Sequence, residues 1–270
     1  MDTDSAGENY ILGYGDNAIA WMKSRTVEDH GEFLLPYLEP GMSLLDCGCG
    51  PGTLTLGFAA TLAPGSVVGI DREAGQFAAA AEYAAEHGVT NLRFETGDVY
   101  ALPFDDASFD VVFCSAVLGS VNKPDRVVQQ MVRVLKPGGI IAMKEFDNAA
   151  DMVYPQMPVL ARSIELYQRL RAHSGHAAEV GRQLKGMIHA AGCTVEYVNA
   201  VFDQETELEE LRDHAERNIA LFVEVLGPKY EALGWCTPEQ LEADAAAWRE
   251  FAEDPAAVLM AAWVEAVGRK

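Results

Sequence analysis

The fold of this chain is decided by residues 44–53, Leu44-Leu45-Asp46-Cys47-Gly48-Cys49-Gly50-Pro51-Gly52-Thr53. The first four residues predict a short buried strand, and the apolar residues from Thr53 onward predict a helix. Three glycines at alternate positions separate them, and glycine lets a backbone turn tightly and approach a ligand closely. Ligands of open parallel sheets bind beyond the carboxyl ends of the strands. The segment therefore predicts a strand, a ligand-binding loop and a helix.

Strand-like and helix-like segments alternate on both sides of this loop. We predict a helix at about 25–38, strands at 43–47, 67–70, 92–95, 109–114 and 140–144, and helices at 53–62, 74–87 and 125–135. Such alternation is typical of a parallel sheet with helices on both faces, the α/β doubly wound class.

The second half of the chain is mostly helical. We predict helices at 156–172, 180–191, 206–226 and 238–252, with a strand at 194–202. The alanines of residues 258–267 favour a helix, but the place of this segment at the end of the chain favours a last strand beside 194–202. We interpret it as a strand, which makes the helices from 204 to 253 an insertion.

The charge of the chain argues against nucleic-acid and membrane partners. It has 41 acidic and 20 basic residues, a net charge of -21, whereas phosphate backbones are bound by lysine and arginine. An apolar run of about 18 residues, as a membrane span needs, does not occur. The arginines at 162, 169, 171 and 182 are interspersed with acids, and we interpret them as a solvated helix face.

Five cysteines, an odd and sparse set, are typical of reduced thiols. The acidic N-terminus does not resemble a secretory signal, so we expect a cytoplasmic protein. Cys47 and Cys49 are separated by one residue, a poor spacing for zinc, and no second pair accompanies them. We therefore expect no metal site.

The loop differs from a dinucleotide-binding fingerprint. That fingerprint requires its third glycine at the position of Thr53, but here the third glycine is Gly52. Asp46 precedes the loop, and its carboxylate would repel a pyrophosphate but attract a cation. S-adenosylmethionine, which carries an ammonium and a sulfonium group, fits this pattern.

Two more carboxylates follow successive predicted strands. Asp71 is placed to accept hydrogen bonds from ribose hydroxyls, a feature that S-adenosylmethionine and NAD sites share. Asp98 is placed to accept from an adenine amine, with the backbone of Val99 as a donor. Either aspartate alone fits a turn or cap equally well, but their joint placement favours a nucleoside ligand.

The chain resembles the class I, Rossmann-like methyltransferases that use S-adenosylmethionine. The resemblance covers residues 42–145 and rests on five segments in order: 45–52, Gly69-Ile70-Asp71, Gly97-Asp98-Val99-Tyr100-Ala101-Leu102-Pro103-Phe104, Phe109-Asp110-Val111-Val112 and Leu135-Lys136-Pro137-Gly138-Gly139. The Leu-Pro-Phe segment is most similar to the subgroup that methylates small molecules such as quinone precursors, sterols and natural products. For residues 150–270 the resemblance implies only a substrate-binding cap.

The resemblance implies a set of cofactor contacts and a fold. The methionine portion would lie beside Asp46, Gly48 and Gly50, and its amino-acid end would contact the backbone of Cys114 and Ser115. The ribose would be bound by Asp71. The adenine would be bound by Arg72, Asp98 and Val99. The implied fold is a seven-stranded, mostly parallel sheet with one antiparallel strand. We divide the chain into an N-terminal arm or lid (1–24), the cofactor-binding core (25–150), the remainder of the core with a cap helix (151–203), a helical cap insertion (204–253) and a final strand (254–270).

Methyl transfer is an in-line displacement that mainly requires positioning in a dry pocket. A base is needed only if the acceptor must lose a proton. Weak candidates for a catalytic role are Glu145, which also fits a structural carboxylate, and His173 and His176, which also fit a surface loop. Tyr14, within residues 9–15, fits either a lid over the sulfonium or a merely packed arm.

We therefore predict a methyltransferase that acts on an O, N or C atom of a small, natural-product-like acceptor, as a monomer or homodimer. Aromatic residues of the second half are candidates for a pocket that binds a planar acceptor, and they fit the core of a helical region as well: Tyr154, Tyr167, Phe222 and Trp235. The alternatives are a protein-directed methyltransferase, an NAD-linked oxidoreductase and a non-catalytic cofactor binder.

Overall fold

Eight strands form one sheet in the computed structural model, which describes residues 16–270. They are β1 (Leu44–Cys47), β2 (Val67–Asp71), β3 (Leu92–Thr96), β4 (Phe109–Ser115), β5 (Leu135–Phe146), β6 (Met152–Tyr154), β7 (Thr194–Glu205) and β8 (Val258–Arg269). The order is β3-β2-β1-β4-β5-β8, with β7 along the other edge of β8 and β6 beside its first residues.

The direction of the strands confirms the predicted fold class. The first five strands are parallel, and β8 is antiparallel to β5 and β7. The interpretation of 258–267 as a strand is confirmed. The seven predicted strands are all present, and the short β6 is an addition that its three residues did not reveal.

Ten α-helices connect or cover these strands in the part of the chain that the structure describes. They are α1 (Asp16–Lys23), α2 (Val27–His30), α3 (Thr53–Leu62), α4 (Ala74–Glu86), α5 (Pro124–Val134), α6 (Pro158–His173), α7 (Leu184–Ala190), α8 (Leu208–Asn218), α9 (Gly227–Ala232) and α10 (Pro238–Ala252). The prediction of a single helix over 25–38 was wrong: α2 ends at His30, and a 3-10 helix, Glu32–Tyr37, follows after Gly31. It contains Pro36, which has no N–H and disfavours a continuous α-helix.

Side-chain alternation along the strands builds a core on each face of the sheet. Leu45 and Val68 face α5 and α7, whereas their neighbours Leu44 and Val67 face α3. Successive residues of a strand point to opposite faces, so one strand supplies both cores. This sandwich holds the carboxyl ends of β1, β2 and β4 in a fixed row.

A separate apolar cluster lies in the second half. It is formed by α6, the helices between β7 and β8, and the start of β8, around the fully buried Trp248. A π-helix, Ile219–Val225, continues α8 and was not predicted. These helices lie beyond the carboxyl ends of the strands, on the side where the glycine loop lies, and we call them the cap. None of the helices in residues 16–270 is long and apolar enough to cross a membrane.

Candidate functional site

One cavity of about 890 Å³ extends from the glycine loop to the cap. Its lining includes residues that follow β1, β2, β3 and β4, together with residues of α6, β7, α8 and the π-helix. The position beyond the carboxyl ends of parallel strands is where open α/β sheets bind ligands. The cavity therefore joins the predicted cofactor loop to the predicted cap.

The three glycines of the loop serve different purposes. A Cβ on Gly48 would lie 2.5 Å from Val117, and one on Gly52 would lie 2.6 Å from Phe94, so both positions exclude a side chain. A Cβ on Gly50 would have only Gln76 and Met22 nearby, both at 3.7 Å. All three adopt positive φ, between +50° and +79°. Gly50 is therefore the glycine that leaves space for a ligand.

Asp71 shapes the loop and also lines the cavity. Its carboxylate accepts hydrogen bonds from the backbone N–H of Gly50, at 2.9 Å, and of Glu73, at 3.0 Å. Asp98, also in the lining, accepts one from the N–H of Tyr100 at 2.9 Å. A carboxylate has about four lone-pair sites, so Asp71 can accept from ligand hydroxyls in addition to these two N–H groups.

Asp46 is buried at the base of the cavity. It is 2% exposed and accepts a hydrogen bond from Oγ1 of Thr55 at 2.7 Å. Burial raises the pKa of Asp46 to about 7, and the negative charge of Asp71 adds to this rise. A cation in the cavity would favour the ionised carboxylate, as the sequence predicts for a positively charged ligand.

Most of the predicted cofactor residues line this cavity. Those that do are Asp46, Gly48, Gly50, Asp71, Arg72, Asp98, Val99 and Ser115. Cys114 does not, since its side chain is fully buried in the sheet core, and burial raises its thiol pKa. Tyr14 lies outside the described residues.

Gln76 was missed by the sequence reasoning. It lies in the first turn of α4, is 8% exposed, and has no hydrogen-bond partner for Oε1 among residues 16–270. A buried acceptor without a partner costs about 1–3 kcal/mol. Ser115 Oγ also lines the cavity and has no such partner. A ligand with ammonium and hydroxyl groups would satisfy these atoms, so the residues present fit S-adenosylmethionine.

Glu145 does not line the cavity. Its Oε1 accepts hydrogen bonds from the N–H groups of Val117 and Leu118, at 2.7 and 2.6 Å, and Oε2 accepts from that of Gly119 at 3.4 Å. Its neighbour Phe146 occupies the opposite face of β5 and lines the cavity. These contacts hold the loop after β4 in place, as expected if Glu145 is a structural carboxylate rather than a catalytic base.

The two candidate histidines also lie outside the cavity lining. His173 is exposed and contacts the ring of Trp235 edge to face, at 5.4 Å between centroids. His176 is buried, and its pKa is lowered to about 4 by burial and by the nearby Arg171 and Arg72. Neither ring is placed to contact an acceptor in this cavity.

Aromatic rings line the cap side of the cavity. Tyr167 and Phe222 stack at 4.9 Å, and Trp248 and Trp263 extend the surface. Tyr154, which is 62% exposed, and Trp235 do not line it. Two of the four predicted aromatics therefore belong to the cavity, and two tryptophans were missed.

Charged groups on the cap side balance one another. The acids are Asp151, Asp203 and Glu205, and the bases are Arg25, Arg171 and Arg217. Most of them have protein partners: Glu205 pairs with Arg217 at 2.8 Å, and Arg171 donates to Tyr167 Oη and to backbone carbonyls. Among the described residues, the formal charges on this side of the cavity cancel, which does not favour an ionic acceptor.

Comparisons with known proteins agree with this geometry. A family model described as a methyltransferase domain matches residues 38–215. "Probable methyltransferase ltbC" of Aspergillus luteorubrus is 37% identical over 171 residues, which are 60% of this chain and 59% of that protein. The chain thus spans less than two thirds of that relative.

Two further comparisons cover more of the chain. The ubiquinone/menaquinone biosynthesis C-methyltransferase UbiE of Idiomarina loihiensis is 34% identical over 207 residues, 71% of this chain and 79% of that protein. The solved structure of the YcgJ protein from Bacillus subtilis is similar with a TM-score of 0.59 at 20% identity, and covers 88% of this chain and 97% of that one. The last comparison shows the fold alone.

Proposed function

The chain belongs to the methyltransferase family, and we propose that it transfers the methyl group of S-adenosylmethionine to a small molecule bound between core and cap. One observation carries this proposal. A single cavity reaches from the glycine loop and its three carboxylates to an aromatic surface on the cap. Cofactor and acceptor can therefore meet without solvent between them.

S-adenosylmethionine is the cofactor, and it supplies a methyl group on a positively charged sulfur. Asp71 and Asp98 are placed to accept hydrogen bonds from the nucleoside, while Asp46, Gln76 and Gly50 lie where the charged methionine portion would bind. The fixed carboxylates stabilise the cationic ligand and orient it towards the cap. The rest of catalysis is positioning and exclusion of water.

The cap side favours a neutral, planar acceptor. The charges of the lining are balanced and mostly paired within the protein, while the remaining surface is aromatic and aliphatic. A quinone-like or other aromatic natural product has these properties, and the name of UbiE, a ubiquinone/menaquinone biosynthesis C-methyltransferase, supports that class. A protein-directed enzyme would instead need to admit an extended peptide segment.

The proposal is tested by binding and by turnover. Calorimetry should show S-adenosylmethionine and S-adenosylhomocysteine binding and no binding of NAD, which separates it from the oxidoreductase alternative. Mass spectrometry of a panel of small aromatic acceptors should then show the gain of one methyl group. Methylation of basic proteins but of no small molecule would replace this proposal with the protein-directed alternative.

A further inference from the structure

We propose that His214, oriented by Glu205, is the general base of this site, and that the acceptor is a phenol whose hydroxyl proton it removes. This inference rests on the proposed function, because it concerns the acceptor end of the same cavity. Neither residue was a candidate from the sequence. They lie on different elements, at the end of β7 and in α8, and the fold brings them together.

The arrangement places a carboxylate behind an imidazole. His214 Nδ1 lies 2.5 Å from Oε2 of Glu205, and Oε1 of the same carboxylate accepts from Nη2 of Arg217 at 2.8 Å. Arg217 thus holds the carboxylate of Glu205 in place. Nη2 of Arg217 lies 3.4 Å from the same Nδ1, but the carboxylate oxygen of Glu205 is closer and favours the tautomer with the proton on Nδ1, which leaves Nε2 as the basic atom.

His214 belongs to the wall of the acceptor chamber. It is the one histidine in the cavity lining among residues 16–270, and its side chain is 20% exposed. Its ring lies 6.2 Å from that of Trp248, the buried aromatic of the cap. Arg217 and Glu205 face it from α8 and β7, and Asp151 is near enough to interact with it electrostatically from the segment before β6.

The sheet topology explains why this site faces the cavity. β7 runs parallel to β5 but extends further, because its last residues pair with the part of β8 that lies beyond β5. Glu205 pairs with Leu259, and β6 occupies the other edge of β8 at that point. The projecting ends of β7 and β8 form one side of the chamber, and α8 returns over it with His214.

The proposed step balances as follows. Nε2 of His214 takes the proton of the acceptor hydroxyl as its oxygen, or the ring carbon activated by that oxygen, attacks the methyl carbon. The new bond to carbon forms while the carbon–sulfur bond breaks, and the electron pair of that bond stays on sulfur as a neutral thioether. When a ring carbon is methylated, a dienone forms first. Its ring proton passes to water, and the phenolate that results takes the hydroxyl proton back from His214, so the aromatic ring and the free base are both restored.

The test compares His214→Gln with wild type over a range of pH. At pH 7 the turnover of a phenolic acceptor should fall by about 10²–10⁴-fold, the usual contribution of a general base. The ratio of wild-type turnover to His214→Gln turnover should decrease towards pH 10, near the pKa of a free phenol, because the acceptor then ionises without a base. At a fixed pH this ratio should also be smaller for a nitrophenol than for an unsubstituted phenol, because the nitrophenol ionises more readily.

Matched variants separate catalysis from structure. His189→Gln changes an exposed histidine of α7 outside this cavity, and should leave turnover and its pH dependence unchanged. Glu205→Gln should lose less turnover at pH 7 than His214→Gln does, and this loss should likewise become smaller at high pH. Binding of S-adenosylhomocysteine should stay within about twofold in each variant.

Three outcomes would overturn the inference. The first is a loss in His214→Gln that is the same at every pH and for every phenol, since that indicates packing against Trp248. The second is an unchanged turnover in His214→Gln. The third is a wild-type enzyme that methylates amines and no phenol, which leaves the proposed small-molecule methylation intact. If wild type methylates no small molecule at all, the proposed function itself has failed.

Discussion

Two buried carboxylates, Asp46 and Glu145, show how neighbours decide the use of a residue. Burial raises the pKa of each to about 7. Asp46 has one hydroxyl partner and lines the cavity, whereas Glu145 is surrounded by three backbone N–H groups of the loop after β4. The same chemical group thus lines a cavity in one place, where we propose that it faces the cofactor, and holds a loop in the other.

At the residue scale, we expect cofactor affinity to depend on pH through Asp46. The pKa of its carboxyl is raised to about 7 in the free protein, and a cationic ligand favours the ionised form. Binding therefore displaces a proton at low pH. Affinity for S-adenosylmethionine should fall by up to tenfold per pH unit below about 7 and level off above it.

Calorimetry between pH 5 and 9 measures this dependence, and Asp46→Asn serves as the control. The asparagine variant should bind more weakly at pH 8 and lose most of the pH dependence. A wild-type affinity that is constant across the range would show that Asp46 does not sense the cofactor charge.

Glu145 should matter for stability rather than for proton transfer. Glu145→Ala leaves the N–H groups of Val117 and Leu118 without their acceptor, at a cost of roughly 1–3 kcal/mol each where no water replaces it. We expect a lower melting temperature for Glu145→Ala in thermal unfolding. Glu145→Gln keeps one oxygen acceptor and should melt closer to wild type.

The kinetics of Glu145→Gln test the other half of this account. Because Glu145 does not line the cavity, the pH–rate profile of the Glu145→Gln variant should have the same shape as that of wild type. A stable Glu145→Gln variant that loses a kinetic pKa would restore Glu145 as a base.

At the scale of elements, local signals predicted the first half better than the second. The strand, glycine loop and helix around residues 44–53 follow from sequence spacing, because glycines and apolar runs act within a few residues. The cap depends on packing between distant helices. Hence the continuation of α8 as a π-helix and the separate α9 were not predicted.

The cap should determine acceptor specificity. Phe222 stacks on Tyr167 in the cavity lining, so Phe222→Leu should lower kcat/KM for an aromatic acceptor, since ring stacking contributes about 0.5–1.5 kcal/mol. S-adenosylhomocysteine affinity should stay within tenfold, or about 1.4 kcal/mol. Acceptor kinetics and calorimetry measure the two effects.

Trp235→Leu is the matched control for Phe222→Leu. Trp235 is half-buried in the cap and packs against Arg169 and His173, outside the cavity lining. We expect this variant to keep its acceptor kinetics. If both variants lose cofactor binding and melt early, the cap aromatics are structural and the specificity prediction fails.

The first helix should be protected when the cofactor binds. Met22 and Arg25 line the cavity, and Met22 Sδ lies 3.7 Å from the place of a Cβ on Gly50. Trypsin cleavage after Lys23 should therefore slow in S-adenosylhomocysteine, while cleavage after the exposed Lys185 serves as the control. Equal rates at Lys23 with and without ligand would argue against closure. The lid role of Tyr14 and the division of the chain into arm, core and cap stay predictions.

At the scale of the whole molecule, the site combines predictable and unpredictable residues. Asp71 ends β2 and Asp98 comes two residues after β3, so the sequence predicted that both lie at the carboxyl ends of neighbouring strands. Glu205 and His214 enter the cavity only because distant elements meet there, whereas Gln76 was missed although it comes five residues after Asp71. Sequence spacing carries no signal for such a meeting, and burial with a missing or close partner is what identifies them.

The net charge of -21 agrees with a cationic cofactor and a neutral acceptor. The cavity itself carries the acids Asp46, Asp71 and Asp98 at its core end, while charges on the cap side balance. A negative field attracts the cofactor and repels phosphate-rich partners. The absence of a nucleic-acid partner stays a prediction, as do the cytoplasmic location and the oligomeric state.

The central claim is methyl transfer from S-adenosylmethionine to a small aromatic molecule, and isotope-labelled mass spectrometry tests it most directly. The enzyme is incubated with S-adenosylmethionine that carries a deuterated methyl group and with a panel of phenols, aromatic amines and quinone precursors. We predict that one acceptor class gains a single labelled methyl group, with S-adenosylhomocysteine formed in equal amount. Cofactor binding by calorimetry without label on any small molecule would contradict the account.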